Sequence, residues 1–191
     1  MIYNRESIRL KGYDYSQNGW YFITICSYRR LKIFGEIRGD DFLLNKCGNI
    51  VEEEILVTSK MRPNVKIDCF QIMPNHVHFI LVINNNIGGE KEIDCKNVGA
   101  YCNCKNVGAY CNTPLQKRIN KLMSPKNNLG SIIRGFKSAS AKRIQLISDF
   151  YLPIWQRNYF ERIIRGKGEY WKLRRYIKSN PKMWFRDRNN R

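Results

Sequence analysis

The apolar positions of the chain fall into a few clear rhythms. Residues 20–28, Trp-Tyr-Phe-Ile-Thr-Ile-Cys-Ser-Tyr, are aromatic and β-branched without a charge, which predicts a buried first strand. Residues 40–45 predict a short second strand. From 47 to 61 the spacing becomes helical, with Ile50, Val51, Ile55 and Leu56 inward and Glu52, Glu53 and Glu54 early, where the helix dipole favours acids. Pro63 ends that helix. Val65–Met73 and His76–Ile83 are two apolar runs separated only by Pro74-Asn75, the pattern of a tight antiparallel hairpin.

The rhythm then lapses. Residues 84–127 are poorly periodic and too long for an ordinary loop in a compact domain, so they read as an insertion. After them Asn128 can cap a helix whose apolar positions Leu129, Ile132, Ile133, Phe136, Ala139, Ile144 and Ile147 lie mostly on one face. Residues 152–164 predict a last strand with its flanking loop, Gly166 and Gly168 punctuate, and a final helix over 169–180 is closed by Pro181. The order is strand, short strand, helix, hairpin, helix, strand, helix. It predicts an α+β protein with a ferredoxin-like antiparallel sheet and helices on one face. The expected organisation is a single domain over 1–191, with the insertion at 84–127 and a basic tail at 182–191.

Composition narrows the function classes. The chain has 191 residues, 43% hydrophobic and 26% charged, the balance of a globular protein. No apolar run approaches the roughly 18 residues of a membrane span, and the polar start lacks the apolar stretch of a signal peptide. A soluble, unexported protein with no membrane partner is expected. Seven cysteines suggest a metal or disulfide framework, but Cys26, Cys47 and Cys69 sit singly in apolar patterns and read as core. The other four belong to a perfect repeat, in which Cys95-Lys-Asn-Val-Gly-Ala-Tyr-Cys102 recurs as Cys104 to Cys111. With no Cys-x-x-Cys or Cys–His pairing, the repeat reads as a duplication in a tolerant loop rather than a zinc site.

Charge changes the picture more. The net charge is +18, and it is uneven: residues 1–114 carry 14 basic and 12 acidic side chains, residues 115–191 carry 20 and 4. A folded half that is nearly all basic faces a polyanion, nucleic acid above all. Arg134, Lys137, Lys142 and Arg143 place cations beside the apolar stripe of the second long helix, and Trp155, Arg157, Tyr159, Trp171, Arg174 and Arg175 interleave aromatic rings with cations, as stacking of unpaired bases on a phosphate-binding groove requires. Arg186, Asp187, Arg188 and Arg191 are read either as DNA contacts or as a frayed tail.

The two histidines of the chain, His76 and His78, are two positions apart on a predicted strand, so both imidazoles lie on one face. They can converge on one ion or one phosphate, or form a satisfied pair on the solvent face of the sheet. Tyr176 and Asn180 are four apart on the last helix and share a face. A hard amide oxygen from Asn180 would complement two imidazoles around a divalent cation, and Arg174, Arg175 and Lys178 beside Tyr176 would favour its phenolate.

The segments Tyr21-Phe22-Ile23-Thr24-Ile25-Cys26, Met73-Pro74-Asn75-His76-Val77-His78-Phe79, Trp155-Gln156-Arg157-Asn158-Tyr159-Phe160 and Tyr176-Ile177-Lys178-Ser179-Asn180-Pro181 together resemble the HUH-type single-tyrosine transposases, and within them the REP-associated tyrosine transposase branch. The resemblance runs from about residue 5 to residue 184. It implies that His76 and His78 are metal ligands, Asn180 the third ligand and Tyr176 the nucleophile. It further implies a 5′-phosphotyrosine intermediate, strand transfer without ATP, and a single-stranded hairpin DNA substrate. Softness alone would let two imidazoles take Zn, Fe or Ni, whereas the resemblance implies Mg or Mn. A monomer is expected over a homodimer, in the bacterial cytoplasm with the nucleoid. The competing reading is a non-catalytic hairpin DNA-binding protein adopted by its host.

Overall fold

The computed structural model describes residues 10, 12–39, 41–86, 128–148 and 151–190. All but the first three residues of the expected insertion, the cysteine repeat included, lie outside the described residues.

The strands are β1 (Gly19–Cys26), β2 (Gly35–Arg38), β3 (Asp41–Leu44), β4 (Val65–Met73), β5 (His76–Ile83) and β6 (Phe160–Ile164). The helices are α1 (Lys46–Lys60), α2 (Leu129–Ile147) and α3 (Lys167–Ser179). Four strands make one antiparallel sheet in the order β4-β5-β1-β6, while β2 and β3 pair separately as a small hairpin. With α1 between β1 and β4, and α2 between β5 and β6, the α+β ferredoxin-like arrangement expected from the sequence is present.

Alternation along the central strands decides which face meets which helix. Tyr21, Ile23 and Ile25 of β1 and Val77, Phe79, Leu81 and Ile83 of β5 join Ile50, Val51 and Ile55 of α1 and Ile132, Ile133 and Phe136 of α2 in the main core. The other parity, Phe22 and Ile80 with Cys69 and Ile164, packs against Ile177 of α3 in a second cluster. Thus α1 and α2 share one face, as expected, whereas α3 covers the opposite one, where the even-numbered apolar residues of β1 and β5 await a partner. His76 and His78 belong to the α3 face by register, since they pair with Cys26 and Thr24.

Each long helix starts on an asparagine that caps it, Asn45 accepting from Gly48 N at 3.0 Å and Asn128 accepting from Ser131 N at 2.8 Å. The α2 stripe is buried as the periodicity predicts except at Ala139, which is half-buried, and at its end, where Ile147 is exposed. The three glutamates lie beyond the first turn of α1, so the dipole does not account for them. Glu54 is buried and instead receives Arg143 Nη1 from α2 at 2.9 Å, with Glu53 taking the other guanidinium nitrogen. The strand at Gly35–Arg38 escapes a reading of the sequence because four residues of mixed polarity carry no period. Its first residue must be glycine: φ is +145°, and a side chain there would run into the Leu43 carbonyl.

Gly48 of α1 sits directly against the Phe34 carbonyl oxygen, inside the space a Cβ would need. Gly48→Ala should therefore lower stability by about 1–3 kcal/mol through overpacking, although alanine gains about 1 kcal/mol in helix propensity. Urea denaturation reads the balance; an unchanged or raised midpoint would show that the helix can move away at no cost.

Candidate functional site

The site begins with a tight turn. Pro74 and Asn75 join β4 to β5, and Asn75 is fully buried. Its Nδ2 donates to Arg30 O at 3.2 Å and Asn189 O at 2.7 Å. Two carbonyl acceptors fix the orientation of the amide, so Oδ1 is the atom that faces His76 Nδ1 at 2.8 Å. An amide oxygen only accepts. The His76 proton is therefore on Nδ1, and Nε2 presents its lone pair to the interior of the site.

That lone pair meets His78. The two Nε2 atoms are 2.9 Å apart, and both rings are buried. His78 Nδ1 lies 2.8 Å from Thr24 Oγ1, a hydroxyl that can donate or accept. With Thr24 donating, His78 carries its proton on Nε2 and gives it to His76; with Thr24 accepting, both Nε2 lone pairs point to one place. Phe22 stacks on His78 with centroids 5.4 Å apart, and Trp184 stacks on His76 at 6.1 Å, so the ring planes are held from both sides.

Burial is the dominant influence on the imidazoles. It pushes the pKa of His76 down to about 4, with Asp187 partly offsetting and Arg30 adding to the fall. His78 is driven well down by burial, then by His76 and Arg188. Both rings are neutral at physiological pH, as metal ligation requires.

Tyr176 of α3 brings its hydroxyl to 3.4 Å from His78 Nε2, and its ring meets the imidazole edge-on at 5.3 Å. Its environment is not the one its basic neighbours in sequence imply. Burial raises the pKa of the phenol and Asp187 raises it further, while the Asn180 amide and Arg188 pull it down. Arg174 is turned away, bound to Asp68 and, at 2.8 Å, to the Tyr170 hydroxyl. Tyr176 is thus a phenol at neutral pH. Asn180, the C-cap of α3, is 2% exposed, and its amide lies beside the phenol.

A further side chain arrives from a part of the chain read as tail. Pro181–Arg186 is a 3-10 helix with Trp184 buried, and the residue after it, Asp187, puts Oδ2 3.7 Å from His76 Nε2. His76, His78 and Asp187 offer ligand atoms that all lie within 4.8 Å of one another, a group able to hold a metal ion. Thr24, Asn75 and Asp187 are the site residues that sequence reasoning passed over. Thr24 is the polar interruption of an apolar strand and Asn75 adjoins the histidines, so both left a signal. Asp187 left only its sign, one acid within a basic stretch.

The expected nucleic-acid residues divide. Trp155 is 7% exposed: its ring packs on Phe34 and Phe136 and its Nε1 donates to Ser140 Oγ at 2.9 Å, so it is a core residue and no platform for a base. Arg143 joins α2 to α1, and Arg174 joins α3 to β4. Lys137 donates to the Gln156 and Arg157 carbonyls, holding the loop before β6. Arg134, Lys142, Arg157 and Arg175 are exposed. Arg134, Lys137 and Arg157 line a cleft of about 960 Å³ between α2 and residues 151–161, with Tyr151 and Tyr159 beside them.

No protein-family model matches the chain. A Haemophilus influenzae protein described only as uncharacterized is 36% identical to it over 188 residues, covering 97% of this chain and 93% of its own length. Among solved structures, a REP-associated tyrosine transposase bound to a REP hairpin superposes with a TM-score of 0.55 at 18% identity, over 92% of this chain and 73% of that one. That likeness is one of fold.

Replacing the Thr24 hydroxyl by a methyl leaves His78 Nδ1 buried without its partner. Thr24→Val should cost about 1–3 kcal/mol, although valine favours a strand. The denaturation midpoint checks this; no loss would mean that the imidazole finds another partner.

Proposed function

The chain belongs to the family of the Haemophilus influenzae protein that it matches along nearly its whole length, and on that premise we propose that it is a transposase, a metal-dependent single-stranded DNA endonuclease and strand transferase working on hairpin DNA through a 5′-phosphotyrosine intermediate. The observation that carries this reading is the approach of the Tyr176 hydroxyl to the buried imidazole pair, 3.4 Å from His78 Nε2. A fold shared with a transposase solved on a hairpin supports it.

In this reading His76, His78 and Asn180 hold a divalent cation, Mg or Mn, and Tyr176 is the nucleophile. Two neutral imidazoles can ligate a divalent ion, and a hard amide oxygen from Asn180 would draw the site toward Mg or Mn. When bound, it supplies a Lewis acid for the scissile phosphate and for the departing 3′ oxygen. The protein does the rest. Thr24 and Asn75 hold the far ring nitrogens, Phe22 and Trp184 hold the ring planes, and α3 fixes the phenol in front of them.

The Tyr176 oxygen bonds to phosphorus as the bond to the 3′ oxygen breaks, and the phenolic proton is balanced by the proton that the departing 3′ oxygen takes up as a hydroxyl. One phosphate ester replaces another, so a second 3′ hydroxyl can reverse the step on a different strand without ATP. Tyr176 reaches the histidines of its own chain, which favours action as a monomer. Arg134, Lys142, Arg157 and Arg175 are the cations offered to phosphates, and Trp171, on α3 with Arg175, is an exposed ring for a base. A DNA substrate places the protein with the nucleoid in the bacterial cytoplasm.

The test is to incubate the protein with labelled single-stranded hairpin DNA from its own genomic flanks, with and without Mg or Mn, and to resolve the products under denaturing conditions. A protein–DNA adduct that needs metal is expected. Tyr176→Phe should abolish the adduct and leave hairpin affinity within a few-fold. Adduct formation by that variant would remove Tyr176 as nucleophile; tight binding without any adduct would favour the non-catalytic hairpin-binding protein.

The cations that the fold has already engaged should behave differently from the exposed ones. Arg157→Ala and Arg134→Ala should each weaken hairpin binding and reduce the slope of log affinity against log salt by about 0.7–0.9 for each phosphate that the protein no longer neutralises. Arg143→Ala should leave that slope alone and destabilise the protein, because Glu54 loses its buried partner. Filter binding across salt concentrations, together with denaturation, separates the two classes.

A further inference from the structure

The segment after α3 is built around Asp187. Trp184 is buried against the His76 ring, Asn75 Nδ2 donates to Asn189 O at 2.7 Å, and Arg30 Nη1 donates to Arg188 O at 3.2 Å. Asn190 Nδ2 closes the turn on Trp184 O at 3.2 Å. The backbone on both sides of Asp187 is therefore fixed by the same turn that orients His76.

The side chain is fixed as well. It is 3% exposed, and Oδ1 accepts from Asn189 N at 2.6 Å, which sets the plane of the carboxylate. Oδ2 is left facing His76 Nε2 at 3.7 Å, beyond hydrogen-bond range and opposite a nitrogen whose lone pair the Asn75 contact turns inward. A carboxyl group is taken out of water only where a donor or a cation meets it. Here its free oxygen shares a space with two imidazole nitrogens, the three ligand atoms lying within 4.8 Å of one another.

We propose that Asp187 is a fourth ligand of the cation held by His76, His78 and Asn180, an inference that rests on the metal-dependent reading above. A carboxylate oxygen turns a nitrogen-rich site toward hard ions such as Mn and Mg and away from Zn. It also makes the site complete only when the C-terminal segment is docked.

The experiment uses the full chain without DNA. Binding of Mn2+ is followed by electron paramagnetic resonance, and Zn2+ is then titrated in to displace it. Asp187→Asn keeps the shape and an acceptor for Asn189 N; Asp187→Ala removes both oxygens. Relative to the wild type, Mn2+ affinity should fall about tenfold or more in each, and Zn2+ should displace Mn2+ at a lower ratio of the two ions. Wild-type Mn2+ affinity in both variants would overturn the proposal, and so would equal losses for Mn2+ and Zn2+, which mark a merely structural residue. A wild-type protein that binds no Mn2+ would instead remove the metal-dependent reading, and this inference with it.

Discussion

Two imidazoles are held in the interior with Nε2 atoms 2.9 Å apart, and the architecture around them answers the constraint this creates. Buried rings resist protonation, so no positive charge resides on either, and two lone pairs at that separation repel. The pair is tolerable with one proton shared between the nitrogens or with one cation facing both. Which of these holds is set by the far nitrogens. Asn75 commits His76 to one tautomer, and the Thr24 hydroxyl, able to donate or accept, lets His78 take either. One fixed imidazole and one adjustable imidazole can stand together with or without an ion between them, and these two second partners provide that.

Asn75 couples the pair to the rest of the chain. One side chain reaches the 3-10 turn at Tyr28–Arg30, the first histidine and the C-terminal segment, while its backbone oxygen receives Ser27 N at 2.8 Å. The end of β1, the β4–β5 turn and residues 184–190 are therefore positioned together. Local order here does not depend on sequence proximity: Asn75 and Asn189 are 114 residues apart. Because α3 lies across the same face, the distance from Tyr176 to the histidines is set by sheet packing through Phe22, Ile80 and Ile177, not by the loops. Catalytic geometry carried by the sheet and a helix is stiffer than geometry carried by loops.

What could be read in the sequence follows from how each element is stabilised. β4 and β5 are bounded as expected because long apolar runs flank a turn that Pro74-Asn75 specifies, and α2 because its stripe is nineteen residues of one period. The hairpin of β2 and β3 is held by pairing and by Gly35, neither of which leaves a periodic mark. His76, His78, Tyr176 and Asn180 could be grouped on two faces from spacing alone, but their meeting depends on α3 crossing the sheet, a tertiary fact. The phenolate expected at Tyr176 failed for the same reason: Arg174 neighbours it in sequence but binds Asp68, and the charge that does reach the phenol is the acid of residue 187. Trp155 looked like a base platform because it adjoins Gln156 and Arg157, yet the chain turns it inward beneath Ser140.

Formal charge overstates what a polyanion meets. Of the basic side chains first assigned to DNA, Arg143 and Arg174 are engaged with carboxylates and Lys137 with backbone carbonyls, each tying one element to another. The exposed remainder is divided between the two faces of the sheet: Arg175 on α3, and on the other side Lys142 of α2 together with Arg134 and Arg157, which line the cleft. A polyanion that touched both would have to turn round an edge of the sheet, of which β6 is one. That edge is short, five residues, and Arg162 stands on it with its guanidinium partly exposed beside Glu169. The surface therefore suits a bent or branched nucleic acid better than a straight duplex.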